Sequence, residues 1–397
     1  MKLLLTQTAY PPAVGGMQLL LHQLAREFSP RHTVQAVTQW DTQRTDWLLG
    51  TTLNAPAPAR SYIVDGVPVR RITLDGPTRW RLMPWVLTYY AVQGPALKRI
   101  AAALETAIEH ELCQVDLVHN GRIGREGLSF ASLQLARRRG VPFVLTPVHH
   151  PRWGSWLHRY YHRLYREADA VIALTETERQ TLVQLGVRER RVFVTGMGPI
   201  LADAHDGARF RAEFALGDEP LILYLGQKYA YKGLAALLAA ATLVWKCHPE
   251  TRFAFLGPRT VYSQRLFSTV RDDRILELDT VSLQTKTDAL AACQVLCVPS
   301  TQESFGGVYT EAWSLGKPVV AADIPAVRSV VTDGQDGLLV SQAPGAIADA
   351  LVSLLGKPGL AQQMGLSGRG KVVQRYTWPC LAQQTERVYD HVLRQGR

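Results

Sequence analysis

Two kinds of hydrophobic pattern alternate along the whole chain. Short runs of aliphatic and β-branched residues predict strands buried on both faces, because these runs lack the alternation of a half-exposed strand. Longer segments, such as 17–28, 127–139 and 234–246, repeat hydrophobic residues every three or four positions and predict amphipathic helices. This alternation is typical of doubly wound α/β domains with parallel sheets. The strands are predicted at 2–6, 33–38, 117–120, 142–146, 170–174, 192–195, 221–225, 252–256, 275–278, 295–298 and 319–321.

A segment rich in glycine and proline, 196–220, interrupts this pattern and predicts a linker. The chain has 397 residues, which is long enough for two domains with separate cores. Two such domains joined by one linker leave a cleft, and open parallel sheets bind their ligands outside the carboxyl ends of the strands. The residues that directly follow the predicted strands are therefore the first candidates for function.

The charge of the chain is unevenly distributed. There are 44 Lys and Arg residues against 34 Asp and Glu residues, a formal net charge of +10. Residues 1–196 contain 24 basic and 15 acidic residues, whereas residues 197–397 contain 20 and 19. The excess indicates an acidic partner for the N-terminal half, such as a phosphate, an anionic membrane or a nucleic acid. The hydrophobic content of 47% excludes a disordered protein.

Cysteine content and hydropathy predict a cytoplasmic protein. The five cysteines are an odd number in apolar sequence, as expected for buried thiols in a reducing compartment. The apolar run after Met1 is too short for a secretory signal, and the longest apolar stretch, 234–245, is shorter than the ~20 residues that span a bilayer. We expect a cytoplasmic location, with peripheral contact at the inner face of the membrane.

The most informative motif follows the tenth predicted strand. Glu303 lies in a loop, the Phe-Gly-Gly tripeptide 305–307 begins a helix, and Glu311 lies about one turn inside that helix. Glycines at the start of a helix let a ligand approach bare backbone N–H groups, and the helix dipole favours an anion there. The two carboxylates are therefore placed to bind two parts of one anionic ligand.

This motif resembles the E-x7-E motif of the retaining glycosyltransferases of family 4, the glycosyl transferases group 1, and the resemblance extends over nearly the whole chain. It implies the GT-B fold, in which two doubly wound Rossmann-like domains with parallel sheets face an interdomain cleft. Residues 1–197 are then an acceptor-binding domain, and residues 198–377 bind the nucleotide sugar. Residues 378–397 are implied to form a helix that crosses back onto the N-terminal domain.

The resemblance also assigns roles within this motif. Glu303 is implied to accept hydrogen bonds from hydroxyl groups of the donor sugar, and Glu311 is implied to hold the ribose of the nucleotide. The backbone between the two glutamates is implied to reach the sugar and the diphosphate. The donor-binding residues of this stretch are Ser304, Phe305, Gly306 and Gly307, of which the last three supply backbone donors.

A second motif, residues 223–233, resembles the family's G-R-x-x-x-x-K-G segment, whose two cations neutralise the departing diphosphate. Lys232 matches the lysine of that segment. The arginine position holds Gln227, which can donate a hydrogen bond to the donor but carries no charge. Lys228 supplies the missing cation if its side chain turns toward the ligand, and the alternative is that it is a solvated surface lysine.

Two segments of the N-terminal half match the family as well. Gly15 and Gly16 precede the first predicted helix, as in the family's diglycine loop, which implies that their backbone binds the donor diphosphate. His149 and His150 follow a predicted strand where the family places a histidine near the anomeric centre of the donor; we favour His150 and keep His149 as the alternative. No D-x-D tripeptide occurs, and neither Cys nor Asp clusters near the histidines, so we expect no metal and no cofactor.

Residues 154–166 combine basic and aromatic side chains. Aromatic and apolar side chains recur there at helical spacing, with arginines on the other side. The former are Trp156, Tyr160 and Leu164 together with Tyr161 and Tyr165, and the latter are Arg159, Arg163 and Arg166. Such a helix lies on anionic lipid, and residues 79–85 form a second basic aromatic patch. The alternative is that the aromatic stripe belongs to the core and that the arginines are solvated.

The resemblance implies a retaining hexosyltransferase, and the absence of a D-x-D tripeptide predicts that it is metal-independent. The expected donor is a UDP-, GDP- or ADP-sugar, and the expected acceptor is a glycan or a lipid-linked molecule. The leaving diphosphate is stabilised by Lys232 and by the helix start at 306–307. One alternative is hydrolysis or epimerisation of a sugar nucleotide on the same fold; another is a non-catalytic basic protein that binds nucleic acid, for which no recognised motif is present. The catalytic candidates are His150, His149, Glu303 and Lys232.

Overall fold

The computed structural model divides into two compact units. One unit comprises Met1–Gly196 together with Trp378–Arg397, and the other comprises Met197–Thr377. Each unit is a doubly wound α/β domain, as the alternation of hydrophobic patterns predicts. The structure describes residues 1–13, 15–42, 48–56, 58–109, 114–121, 126–150, 153 and 155–395.

The first unit is built on eight described strands, β1 (Lys2–Ala9), β2 (Thr33–Trp40), β3 (Arg60–Val64), β4 (Val67–Arg71), β5 (Leu117–Gly121), β6 (Phe143–Thr146), β7 (Ala170–Ala173) and β8 (Val192–Val194). Their order in the sheet is β3-β4-β2-β1-β5-β6-β7-β8. The pairs are parallel except β3 with β4, an antiparallel hairpin that the sequence analysis did not predict. Its turn residues, Asp65 and Gly66, have φ angles of 46° and 79°, as a type I′ turn requires.

The helices of the first unit cover the sheet with their hydrophobic faces. The helix predicted at 17–28 begins at Gly16, and the helix predicted at 127–139 has those bounds. The last helix of the chain packs against the first, where the Tyr389 hydroxyl lies 2.7 Å from His119 Nδ1. The helices are α1 (Gly16–Phe28), α2 (Leu48–Thr51), α3 (Gly76–Leu87), α4 (Gln93–Glu109), α5 (Gly127–Arg139), α6 (Arg159–Glu167), α7 (Glu176–Gln184) and α16 (Trp378–Gln395), with a 3-10 turn at Trp156–His158.

The second unit is built on six described strands, β9 (Leu221–Leu225), β10 (Arg252–Leu256), β11 (Ile275–Leu278), β12 (Val295–Val298), β13 (Val319–Ala322) and β14 (Gly337–Val340). Their order is β11-β10-β9-β12-β13-β14, and all the pairs are parallel. The strands β9 to β12 have the predicted bounds. The short edge strand β14 was not predicted.

The helices of the second unit lie on both faces of its sheet. The helix predicted at 234–246 ends two residues early, at Val244. None of the helices in the described part of the chain is long and apolar enough to cross a membrane. The helices are α8 (Gly207–Glu213), α9 (Leu234–Val244), α10 (Val261–Phe267), α11 (Leu283–Ala292), α12 (Gly307–Ser314), α13 (Pro325–Arg328), α14 (Pro344–Gly356) and α15 (Pro358–Lys371), with a 3-10 turn at Ala230–Lys232.

Each sheet has one position where the strand order reverses. In the first unit the chain moves outward from β1 in one direction through β2 and in the other direction through β5. In the second unit the same reversal occurs between β9 and β12. A crevice opens outside the carboxyl ends of the strands at such a point, because the flanking connections leave toward opposite faces. The loops after β1, β9 and β12 are therefore the first candidates for ligand binding in each unit.

Candidate functional site

The loops after β9 and β12 bring two predicted residues into direct contact. Lys232 ends the 3-10 turn of the first loop, and its Nζ donates a hydrogen bond of 2.5 Å to Glu303 Oε1 in the second loop. Gly233, with φ 82°, allows the close approach, since a Cβ atom there would lie 2.5 Å from the Pro299 carbonyl oxygen. The switch point of the second unit therefore carries a cation and a carboxylate as one pair.

Helix α12 begins at this switch point. Its N-cap is Gly306, with φ 84°, where a Cβ atom would lie 2.2 Å from the ring of Tyr309. No side chain in the described part of the chain caps the helix, and its first turn contains no acidic residue. The N–H groups of the first turn and the positive end of the helix dipole therefore point to a site that favours an anion.

Glu311 lies inside α12 with one carboxylate oxygen bonded and the other open. Its Oε1 accepts a hydrogen bond of 2.8 Å from Lys286 Nζ, which also donates to the Ile200 carbonyl oxygen at 2.6 Å. Its Oε2 is buried and has no hydrogen-bond partner among the described residues. Burial raises the pKa of Glu311, and the Lys286 ammonium group opposes that rise. Nothing in the sequence around Lys286 marked it as a site residue.

Lys228 is directed away from this pair. Its side chain is fully buried, and its Nζ bonds Glu277 and the Leu278 carbonyl oxygen, both on β11. Burial lowers the pKa of Lys228, whereas that of Glu277, which burial alone would raise, is lowered by hydrogen bonds from Arg259 and Lys228. Because β10 and β9 lie between β11 and β12, this placement argues against Lys228 as the replacement for the arginine missing at Gln227. It also contradicts the alternative of a solvated lysine.

The loop after β1 leads into α1 at the switch point of the first unit. Gly15 is the N-cap and Gly16 the first residue of α1, whose first turn has no acidic residue and no side-chain cap among the described residues. Gln7 on β1 and Gln18 in the first turn are fully buried, and none of their amide atoms has a hydrogen-bond partner in the described part of the chain. Buried amides without partners are costly, so these two glutamines, which sequence reasoning missed, are candidates for contact with a ligand.

The two candidate histidines follow a strained residue after β6. Val148 has φ 45°, an unusual value for a β-branched side chain that is typical of functional segments. The backbone N–H of His149 donates to Glu178 Oε1 at 2.5 Å, and its ring is buried with Nδ1 3.3 Å from the Tyr165 hydroxyl. His150 is less buried, which favours it over His149 for contact with a ligand.

The anchor of the histidine segment is a buried carboxylate. Glu178 Oε2 accepts a second hydrogen bond, of 2.8 Å, from the backbone N–H of Leu174, so that one side chain ties the loop after β6 to the loop after β7. Within the described ranges, no group of three or more His, Cys, Asp or Glu side chains is arranged to hold a metal ion. Pro151, the last residue of the histidine motif, lies outside the described residues.

The aromatic stripe at 154–166 mostly belongs to the core. Tyr161, Leu164 and Tyr165 are buried in the hydrophobic core of the first unit, so the lipid-facing interpretation is wrong for α6 itself. Trp156 and Leu157, in the 3-10 turn before α6, are exposed. The apolar face of α6 therefore packs on the core, as expected for a helix that lies on a sheet.

Two family models match the chain. The model described as Glycosyl transferase 4-like domain matches residues 15–198, and the model described as Glycosyl transferases group 1 matches residues 219–357. A phosphatidyl-myo-inositol mannosyltransferase of Mycobacterium leprae is 35% identical over 178 residues, which are 44% of this chain and 47% of that protein. The chain therefore aligns with about half the length of this relative.

Solved structures share the fold over the whole chain. Sucrose-phosphate synthase from Thermosynechococcus elongatus is 20% identical, with a TM-score of 0.76 and coverage of 99% of both chains. The Anabaena protein HepE, solved in complex with UDP-glucose, is 18% identical, with a TM-score of 0.74 and coverage of 98% of this chain and 100% of that one. The two family models and these structures agree with the residue motifs, and the chain belongs to the glycosyl transferases group 1, family 4 of the glycosyltransferases, with the GT-B fold.

Proposed function

We propose that the chain transfers a sugar from a nucleoside diphosphate sugar to a hydroxyl group of a glycan or lipid-linked acceptor, with the donor bound at the switch point of the second unit. The observation that carries the proposal is the Lys232–Glu303 pair in the loop that leads into the uncapped start of α12. A cation, a carboxylate and free N–H groups are the three partners that a diphosphate and its sugar need.

The pair changes partners when the donor binds. Without ligand, the Lys232 ammonium group and the Glu303 carboxylate satisfy one another. With the donor bound, the diphosphate oxygens accept the hydrogen bonds of Lys232 and of the first turn of α12, and the sugar hydroxyls donate to Glu303. The site is thus kept hydrogen-bonded in both states, and neither charge is left unpaired in a largely shielded environment.

Glu311 completes the donor site through its open oxygen. Lys286 holds Oε1, so that Oε2 remains available for a donor group. A ribose hydroxyl offers an O–H donor of the right kind, and a hydrogen bond to a carboxylate is worth more than one between neutral groups. Because of this contact, the site should bind ribonucleotides more tightly than the corresponding deoxyribonucleotides.

The reaction itself needs stabilisation of the leaving group more than a protein nucleophile. The bond between the anomeric carbon and the diphosphate oxygen breaks, and the acceptor oxygen forms the new bond on the same face of the sugar. The proton of the acceptor hydroxyl passes to the leaving phosphate oxygen, and the anomeric configuration is retained. Lys232 and the α12 N–H groups stabilise the charge that develops on the diphosphate, without a metal ion, and loss of one such donor costs about 2.7–4 kcal/mol in other enzymes.

The first unit is assigned to the acceptor. Its switch point offers the unpaired amides of Gln7 and Gln18, which suit a ligand rich in hydroxyl groups. The backbone of Gly15 and Gly16, at the start of α1, stays a predicted ligand of the donor diphosphate. The mannosyltransferase relative is named for a lipid acceptor, phosphatidyl-myo-inositol, which supports a lipid-linked or glycan acceptor for this chain.

A thermal-shift panel tests the donor assignment. The chain is heated with UDP, GDP and ADP and with a hexose derivative of each, and a ligand of the folded state raises the melting temperature by mass action. We expect one diphosphate to stabilise the chain and its sugar derivative to stabilise it further; HepE, which was solved with UDP-glucose, makes UDP the first to try. Absence of any shift across the panel contradicts the proposal, and release of free sugar without transfer to any acceptor supports a hydrolase instead.

A further inference from the structure

An exposed apolar corner lies on the first unit, where α3 is followed by α4. Six large hydrophobic side chains are exposed there, among which Trp80, Leu87 and Trp156 are exposed to 72%, 70% and 66%. Clustered apolar side chains on the surface mark interaction sites, whereas single ones need no explanation. The exposed apolar corner consists of Trp80, Leu87, Tyr90, Val92, Trp156 and Leu157.

Helix geometry places Trp80 and Leu87 on one face of α3, and two contacts join the start of α4 to the segment that carries Trp156 and Leu157. Trp80 and Leu87 are two turns apart on α3 and share the face opposite to its buried residues. Gln93 Nε2, at the start of α4, donates to the Leu157 carbonyl oxygen at 3.1 Å. A Cβ atom on Gly94 would lie 2.5 Å from the Tyr160 hydroxyl oxygen, so the start of α4 packs directly on the segment that carries Trp156 and Leu157.

The chain around the corner is basic and almost free of acidic residues. Residues 76–104 contain four Lys and Arg residues and no Asp or Glu. Residues 127–166 contain seven arginines, of which Arg137, Arg138, Arg139 and Arg163 pair with acidic residues outside that segment. Arg159 stacks on the exposed Trp156, with its guanidinium carbon 3.7 Å from the ring centre. The acid next to α3, Asp75, accepts a hydrogen bond of 2.7 Å from the Thr78 N–H and caps the helix.

We propose that the exposed apolar corner docks on the surface of an anionic lipid bilayer. Trp80, Leu87 and Trp156 enter the interfacial layer, and the basic side chains beside them face lipid phosphates. Trp and Tyr suit this layer because each has a large apolar body and one polar group. Membrane affinity of this kind is the sum of buried apolar area and attraction to anionic lipid, and the corner offers both.

The proposal goes beyond sugar transfer and changes the extent of the surface that the sequence predicts. Of the helical stripe at 154–166, α6 buries its part in the core, whereas Trp156 before α6 and Trp80 of the patch at 79–85 are exposed. The surface that remains is formed by α3, the turn that follows it and the 3-10 turn before α6. Binding to a bilayer needs no donor and no turnover, so its test and the thermal-shift test of the donor site fail independently.

Vesicle flotation of the full chain tests the docking. The probes are vesicles of phosphatidylcholine alone and of phosphatidylcholine with phosphatidylglycerol in a two-to-one ratio, each at low and high salt. We expect binding to the anionic vesicles that decreases with salt. The double variant Trp80→Ser/Leu87→Ser should lower the partition coefficient by about tenfold or more, because two large side chains no longer leave water. Arg81→Gln/Lys98→Gln should lower it by about fivefold for each charge, on anionic vesicles alone.

Ile63→Ser is the matched control, because Ile63 is also 72% exposed on the first unit but lies in the β3–β4 hairpin. It should bind like the wild type, and the melting temperature of every variant shows whether the chain is folded. Failure of the folded wild type to bind anionic vesicles overturns the proposal, and so does unchanged binding of the Trp80→Ser/Leu87→Ser variant. A dimer that this variant converts to a monomer, without vesicle binding, assigns the corner to a second copy of the chain and also overturns it.

Discussion

Replacement of Lys232 by Met should weaken binding of the nucleoside diphosphate by about tenfold. A hydrogen bond to a charged group contributes about 1.5–3 kcal/mol, and each 1.4 kcal/mol is a factor of ten in Kd. Lys232 already donates to Glu303 at 2.5 Å in the chain without ligand, so the ligand exchanges one charged partner for another. The net loss is therefore expected at the lower end of this range for binding, and larger for turnover, where charge develops on the leaving group.

Glu303→Gln perturbs the same pair from the other side and should have the opposite effect on the diphosphate. With the carboxylate removed, the Lys232 ammonium group no longer has to leave a charged partner before it binds phosphate oxygens. The diphosphate alone should bind as tightly as to the wild type or more tightly. The additional affinity of the sugar nucleotide should be lost, because the sugar hydroxyls no longer meet a full negative charge.

Isothermal titration calorimetry with the diphosphate that gives the largest thermal shift, and with its sugar derivative, measures both effects. Lys246→Met is the matched control, because Lys246 is exposed on the same unit and its loss changes the net charge equally. Lys232 and Glu303 side chains are 16% and 11% exposed, so the melting temperature of each variant is recorded first. The reasoning is refuted if Lys232→Met binds like the wild type, or if Glu303→Gln weakens the diphosphate as much as Lys232→Met does.

Three further predictions follow from buried carboxylates. Glu311→Gln should abolish the preference for a ribose diphosphate over its deoxyribose analogue, measured as a ratio of Kd values; a preference equal to that of the wild type contradicts the role of its open oxygen. Glu178→Ala should lower kcat by tenfold or more with little change in the KM for the donor, because the His149 segment loses its anchor. Glu178→Gln should retain part of the kcat that Glu178→Ala loses. Equal losses of kcat in the two variants contradict a positioning role for Glu178. In the folded chain the pKa of Glu277 is lowered from its ordinary value of 4.5. The ionised carboxylate therefore stabilises the fold above pH 4.5, and this stabilisation is lost as the pH falls through the pKa of the folded state. Glu277→Gln should lower the free energy of unfolding by about 3–5 kcal/mol at neutral pH, because Lys228 is left buried without a carboxylate partner. It should also make the free energy of unfolding less dependent on pH in the acid range. Urea titrations at several pH values measure both effects, and an unchanged pH dependence contradicts the prediction.

The strands at the site could be predicted from the sequence because they are buried on both faces. The bounds of β9 and β12 agree with the hydrophobic runs at 221–225 and 295–298, and these strands place the two loops of the proposed donor site. The Asp-Gly hairpin at 65–66 was equally visible as a turn signal between two short apolar runs. A hairpin joins two antiparallel strands without a helix, so the alternation of strands and helices that predicts the parallel sheet does not reveal it.

Contacts between distant segments could not be predicted in the same way. Whether Lys228 faces the ligand or Glu277 depends on its side-chain direction at the end of β9, and no local pattern encodes that direction. Likewise, the spacing in 154–166 identified an amphipathic helix but not the side of it that is buried. The patch at 79–85 was predicted from the sequence, but only the packing of α3 separates the exposed Trp80 and Leu87 from the buried Leu82.

The two glutamates of the E-x7-E motif share a feature that the motif does not encode. Each is bonded to a lysine from another segment, Glu303 to Lys232 and Glu311 to Lys286. A carboxylate in a shielded site is costly without a cation, so each lysine offsets part of that cost in the absence of the donor. Donor binding should affect the hydrogen bonds of the two lysines differently. Under the proposed function, the diphosphate should remove Lys232 from Glu303, whereas a ribose hydroxyl should bind the open oxygen of Glu311 and leave the bond to Lys286 intact. Salt should accordingly weaken the diphosphate contact, which exchanges charges with solvent, more than the ribose contact, which does not.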